Sequence, residues 1–110
     1  MDIQLKRGFL EACVLAVLDR SDSYGYQLIK DISPCIEISE STLYPILKRL
    51  ESGDMLSDYS VEHNGRLRKY YKITDAGREK IEDFKNEWKE IMSVYNFIMA
   101  KKESGENDKN

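Results

Sequence analysis

Histidine occurs once in this chain, as His63, and cysteine only twice, as Cys13 and Cys35. A structural zinc site takes four nitrogen or sulfur ligands at short spacing, and neither a CxxC nor a second histidine is present. Zinc is thereby excluded, and both thiols read as reduced. No apolar run approaches the roughly 18 residues of a membrane span. The opening MDIQLKRG also lacks the basic-then-apolar layout of a signal peptide. The expectation is a cytoplasmic chain with no membrane partner. No glycine-rich phosphate loop is found, nor a Ser-His or Cys-His pairing with a third group, so neither catalysis nor a cofactor is expected.

What is present is charge. Of 110 residues, 34% are charged and 41% apolar, a composition for one globular domain with a modest core that would gain from a partner subunit. The net charge of −3 speaks against nucleic acid if taken alone. Its distribution is more informative. Residues 63 to 72 carry Arg66, Arg68, Lys69 and Lys72 without an acid, directly after Glu51, Asp54, Asp58 and Glu62 without a base. Screening confines each charge to roughly 10 Å, so a basic patch on an acidic protein still attracts phosphate.

The first helix, Leu5 to Leu18, is apolar on nearly every side, which marks it as buried on several faces. Glu11 within it reads as a hydrogen-bonding partner. Ser23 is in place to cap a second helix through Tyr24, Leu28, Ile29 and Ile32, with Gly25 inside it and Ser33-Pro34 ending it. A strand fragment is expected around Ile36 and Ile38. Ser39 would cap a third helix whose buried stripe is Leu43, Ile46, Leu47 and Leu50, stopped by a left-handed Gly53. Pro45 falls early in that helix, where the missing amide should cost little. Alternation from Met55 to Val61 and from Leu67 to Ile73, about the turn His63-Asn64-Gly65-Arg66, predicts a two-stranded hairpin with a basic far arm. Thr74 or Asp75 would cap the last helix.

That last helix carries Ile81, Phe84, Trp88, Ile91, Tyr95 and Ile98 at spacings of 3, 4, 3, 4 and 3. This is a heptad seam, longer than the preceding core can cover, so it is expected to meet a second chain as a homodimer interface. The organisation expected is residues 1–74 as a DNA-binding unit, 75–101 as a dimerisation helix and 102–110 as a disordered tail. The fold class is mainly α (α+β): a winged helix-turn-helix with a long C-terminal helix. In such domains the start of the third helix enters the major groove and the hairpin touches flanking backbone. Ser41, Thr42, Tyr44 and Pro45 then lie where bases are read, with Lys48 against phosphate. Asn64, Arg66, Arg68 and Lys69 make the wing.

The segments LKRGFLEACVLAVL (5–18), SYGYQLIKDI (23–32), ESTLYPILKRLE (40–51) and GRLRKYYKITDAGR (65–78) resemble the PadR family of bacterial transcription regulators. The resemblance implies a homodimeric, sequence-specific DNA-binding repressor relieved by a small aromatic effector. It puts Thr42, Tyr44, Pro45 and Lys48 on the recognition helix, and Arg66, Arg68 and Lys69 on the wing. Trp88, which stands 20 residues after Arg68, resembles the interfacial tryptophan of multidrug-sensing members, where two indoles sandwich a flat ligand. Phe84, Ile91 and Met92 would supply the apolar walls. Met92 occupies the place where an acid is expected in cation-binding members, which weakens any preference for cationic drugs.

Plainer readings compete. Trp88 on a heptad seam is explained by interface packing alone, and Tyr70 and Tyr71 by cross-strand packing. A dimeric winged-helix adaptor, with a vestigial DNA surface, is the alternative function.

Overall fold

The computed structural model describes the backbone of residues 1–108 and the side chains of residues 1–100. The order is α1 (Ile3–Arg20), β1 (Ser23–Tyr24), α2 (Gly25–Ile32), α3 (Glu40–Ser52), β2 (Leu56–His63), β3 (Arg66–Ile73) and α4 (Asp75–Asp108).

Asp2 starts α1: its carboxylate accepts the Gln4 and Leu5 amides, each at 3.1 Å. The helix is apolar all round because it is central. Leu10, Val14, Leu15 and Leu18 are buried, and α2, α3, β3 and α4 all pack on it. Ser23 does not cap α2. It is drawn into a short strand that pairs with Tyr71, leaving Tyr24 as the cap residue with no side-chain cap bond. The hairpin therefore belongs to a three-stranded sheet of order β1-β3-β2. Gly25 is the first residue of α2 rather than an interior one.

No strand forms at Ile36 and Ile38. The Cys35 and Ile36 amides both fold back onto the Ile32 carbonyl, at 2.9 and 3.1 Å, and Ile38 is buried as an anchor. Ser39 precedes α3 as expected, and its carbonyl accepts the Leu43 amide at 2.9 Å. The Ser39 hydroxyl is turned instead to Ser41 Oγ (3.0 Å) and Thr42 Oγ1 (3.2 Å). Pro45 is the sixth residue of α3, beyond the amides that lack helical partners, so the Ser41 carbonyl loses its helical donor. Gly53 is not left-handed, with φ −89°; Asp54 takes that conformation, with φ 59°. Asp is among the few residues with a side chain that adopt it readily.

In the hairpin, Leu56 pairs with Ile73 and His63 with Arg66. Asn64 (φ 52°) and Gly65 (φ 78°) make the two-residue turn whose twist suits antiparallel strands. Only its base joins the core, through Leu56, Tyr71 and Ile73. Thr74 opens α4 by accepting the Gly77 amide at 3.1 Å while donating to the Asp54 carbonyl at 2.6 Å. A side chain on Gly77 would collide with the Met55 carbonyl, so the start of α4 sits directly on the start of the hairpin.

The seam of α4 divides. Ile81 is buried in this chain's own core. Phe84 and Trp88 pack on Phe9 of α1, with ring centroids 5.6 and 4.6 Å apart. Ile91, Tyr95 and Ile98 are exposed. The helix runs on to Asp108, past the point where a tail is expected to begin; side chains beyond residue 100 and the final two residues lie outside the described residues.

Candidate nucleic-acid interface

With Leu43, Ile46, Leu47 and Leu50 turned inward, the 3.6-residue period turns Ser41, Tyr44, Pro45 and Lys48 outward. All four are exposed, as is Thr42. The Ser39, Ser41 and Thr42 hydroxyls form one cluster, so they reach solvent already oriented by one another. Lys48 makes no ion pair among the described residues.

The two flanks of α3 differ. Tyr44 leans to the wing side, where a cleft is lined by Tyr24, Gly25, Tyr26, Tyr44, Arg68, Lys69 and Tyr71. A Cβ on Gly25 would come within 2.5 Å of the Tyr44 hydroxyl, so the glycine makes room for that phenol. On the other flank, Ser41, Thr42, Pro45 and Arg49 share a groove with Lys6 and Arg7 of α1. Arg49 is held there by Glu11, at 2.7 Å, the partner role foreseen for that acid.

The sheet converts four basic side chains into unlike groups. Asn64 and Arg66 are exposed at the tip, and Arg66 has no ion pair among the described residues. Arg68 is only half-exposed, its guanidinium 4.1 Å from the centre of the Tyr24 ring. Lys69 Nζ lies 3.6 Å from the Asp58 carboxylate and 5.6 Å from the centre of the Tyr71 ring. Lys72 is exposed beside Tyr71 in sequence, on the face opposite the core.

An aromatic ladder fixes this wing to the rest of the molecule. Tyr70 stacks on Tyr59 at 5.6 Å and meets Tyr24 edge-on at 5.4 Å. The Tyr59 hydroxyl donates to Asp22 at 2.7 Å. That hydrogen bond raises the Tyr59 phenol above its ordinary value. Burial raises Tyr71, against the opposing pull of Lys69. Tyr70 and Tyr71 are thus packing residues, as expected.

The residues expected to hold a ligand are not brought together as a set. Trp88 and Phe84 border a groove of about 250 Å³ between α1 and α4, with Gln4, Leu5 and Gly8 opposite. Ile91 and Met92 lie beyond it, exposed. Sequence reasoning missed Phe9 as the indole's contact, and missed Lys6 and Arg7 beside the start of α3. More than 30 residues separate Lys6 from Ser41 in the chain, so no local pattern could join them.

Residues 14–83 match the PadR-like family of transcriptional regulators. An uncharacterised protein of Lysinibacillus sphaericus is 32% identical over 98 residues, 84% of this chain and 90% of its own length. A solved structure from Streptococcus mutans is 44% identical, with a TM-score of 0.71 over 82% of this chain and 81% of that one. A PadR family transcription regulator from Clostridium difficile is 31% identical, with a TM-score of 0.76 over 83% of this chain and 98% of that one. Family and fold agree on a regulator of transcription that binds DNA, not an enzyme: the chain belongs to the PadR-like family of transcriptional regulators.

Proposed function

We propose that the chain is a homodimeric, cytoplasmic repressor that binds an operator and is released by a small, flat, mostly neutral aromatic molecule. The observation that carries the reading is the start of α3. Ser41, Thr42, Tyr44, Pro45 and Lys48 stand on its outer face, with the exposed Arg66 on the adjoining wing. Hydroxyl and phenol groups there suit base edges, and the cations suit phosphate.

Two observations support the dimer and effector. Ile91, Met92, Val94, Tyr95 and Ile98 are each more than 40% exposed on one stretch of helix, an apolar surface that a second copy would cover. Trp88 and Phe84 form one wall of an aromatic groove against α1, and a planar guest stacks on such a wall. Met92 in place of an acid is what favours neutral ligands, while the groove itself is lined by Glu11, Asp83 and Glu87 beside Lys80.

The test is a titration of duplex DNA from the chain's own upstream region, at three salt concentrations, beside a reporter under that promoter. Repression requires salt-dependent, sequence-selective binding and a reporter that falls when the protein is expressed. Binding with no preference for the upstream duplex would favour the adaptor reading. Saturable quenching of Trp88, the only tryptophan, by planar neutral compounds tests the effector. If it is absent below millimolar concentration, Trp88 is a packing residue.

A further inference from the structure

An α-helix with its side chains is roughly 10–12 Å across and the major groove roughly 12 Å wide. A recognition helix seated there has sugar-phosphate backbone along both flanks. The wing serves one flank of α3, through the cleft that Tyr44 shares with Arg68 and Lys69. On the other flank, Thr42 and Pro45 share a groove with Lys6 and Arg7 from the first turns of α1. Among the described residues, no acidic side chain lines that groove. Arg49, its third cation, is already compensated by Glu11 at 2.7 Å, whereas Lys6 and Arg7 make no ion pair among the described residues. The nearest acids in sequence are both engaged: Asp2, four residues before Lys6, accepts the helix amides of Gln4 and Leu5, and Glu11, four residues after Arg7, holds Arg49. The floor is apolar, with Leu10 and Ile46 buried beneath.

Two uncompensated cations on a chain of net charge −3, set against the start of the recognition helix, match a polyanion. We propose that Lys6 and Arg7 are a second backbone anchor, holding phosphates of the DNA strand that the wing does not reach. The α1 start and the wing then grip the duplex from opposite sides of α3. The inference rests on α3 being the groove-binding helix and adds to it an anchor from a distant part of the chain.

The experiment uses the full-length protein, carrying Lys6→Gln and Arg7→Gln together, titrated against its upstream duplex and a random duplex over a series of salt concentrations. Each phosphate that is no longer neutralised flattens the salt dependence by roughly 0.9, so the pair should flatten it by roughly 1.8 per protomer, or roughly 3.6 for a bound dimer. Affinity for both duplexes should fall in parallel. Exchanging the charges, Lys6→Arg with Arg7→Lys, should keep the slope, and Lys85→Gln with Lys89→Gln on α4 should leave it unchanged. A glutamine pair with the parent slope overturns the proposal. So does a changed sedimentation coefficient with an unchanged slope, which would give this surface to a second copy. A parent protein that binds no duplex overturns the reading of α3 itself, and the anchor with it.

Discussion

Two glycines show how a missing side chain serves two different ends. At Gly25 the space is taken by the end of a flexible group, the Tyr44 hydroxyl, 2.5 Å from where a Cβ would stand. Gly25→Ala should leave the fold intact, with a melting temperature lowered by only a few degrees, but should move the Tyr44 phenol. Duplex binding is therefore expected to weaken as in Tyr44→Phe or Tyr44→Ala. At Gly77 the obstacle is the Met55 backbone carbonyl, which cannot swing aside. Overpacking costs about 1–3 kcal/mol, so Gly77→Ala should melt markedly lower than Gly25→Ala, which a pair of thermal melts decides. The cysteines differ in a comparable way. Cys35 is exposed, while burial raises the Cys13 thiol above its ordinary value. Alkylation near neutral pH should label one thiol quickly and the other slowly, and Cys35→Ser should remove the fast phase. At this scale the sequence was legible for Glu11 and for the stripe of α3. It did not show what Gly25 makes room for, a tyrosine 19 positions later.

The wing is where local pattern and tertiary pairing diverge. Alternation and the Asn64-Gly65 turn foretold the hairpin because both are properties of neighbouring residues. The third strand was illegible: two residues carry no periodicity, and Ser23 looks like a cap until Tyr71 pairs with it. The basic run also looked uniform. Its members are not equal, since Arg68 stacks on Tyr24 and Lys69 faces Asp58. Arg66→Gln should flatten the salt dependence of duplex binding by roughly 0.9 per protomer, and Lys69→Gln by less, because Asp58 already offsets part of that charge. Arg68→Lys should be costlier than its conserved charge suggests, because an ammonium cannot reproduce the planar stack.

The same sheet responds to alkali with a definite sign. Tyr59 and Tyr71 have phenols raised above the ordinary value of 10.0. The folded state thus favours their neutral forms. The stability linked to them is fully present below pH 10 and falls as pH rises through the raised values. Phenolate absorbance should show two late-titrating groups, one removed by Tyr59→Phe and one by Tyr71→Phe, and the late steps should vanish in denaturant.

For the whole molecule, the extents of 72 × 26 × 22 Å describe a small body with a long spar. The heptad spacing of α4 was plain in the sequence, but spacing does not say which chain a seam will meet. The first residues of that seam turn to α1 of the same chain, and only the later ones are left outward. Substitutions at the two ends should therefore part company. Tyr95→Glu with Ile98→Glu is expected to give folded monomers in sedimentation with a nearly unchanged melt. Ile81→Ala should instead lower stability by about 2–5 kcal/mol, as other buried Ile-to-Ala truncations do.

The ladder from Asp22 through Tyr59, Tyr70 and Tyr24 has a mechanical consequence. It braces the wing to the corner between α1 and α2, while Tyr44 is seated against the start of α2. The start of α3 and the wing are thereby held to one corner of the fold. If the proposed effector acts through α4, it would turn this unit as a block. In the proposed dimer, the variable open to control would be the distance between the two α3 helices, which DNA fixes by its helical repeat of roughly 34 Å. The chain would then be switched off by being brought out of step, with every contact surface still in working order.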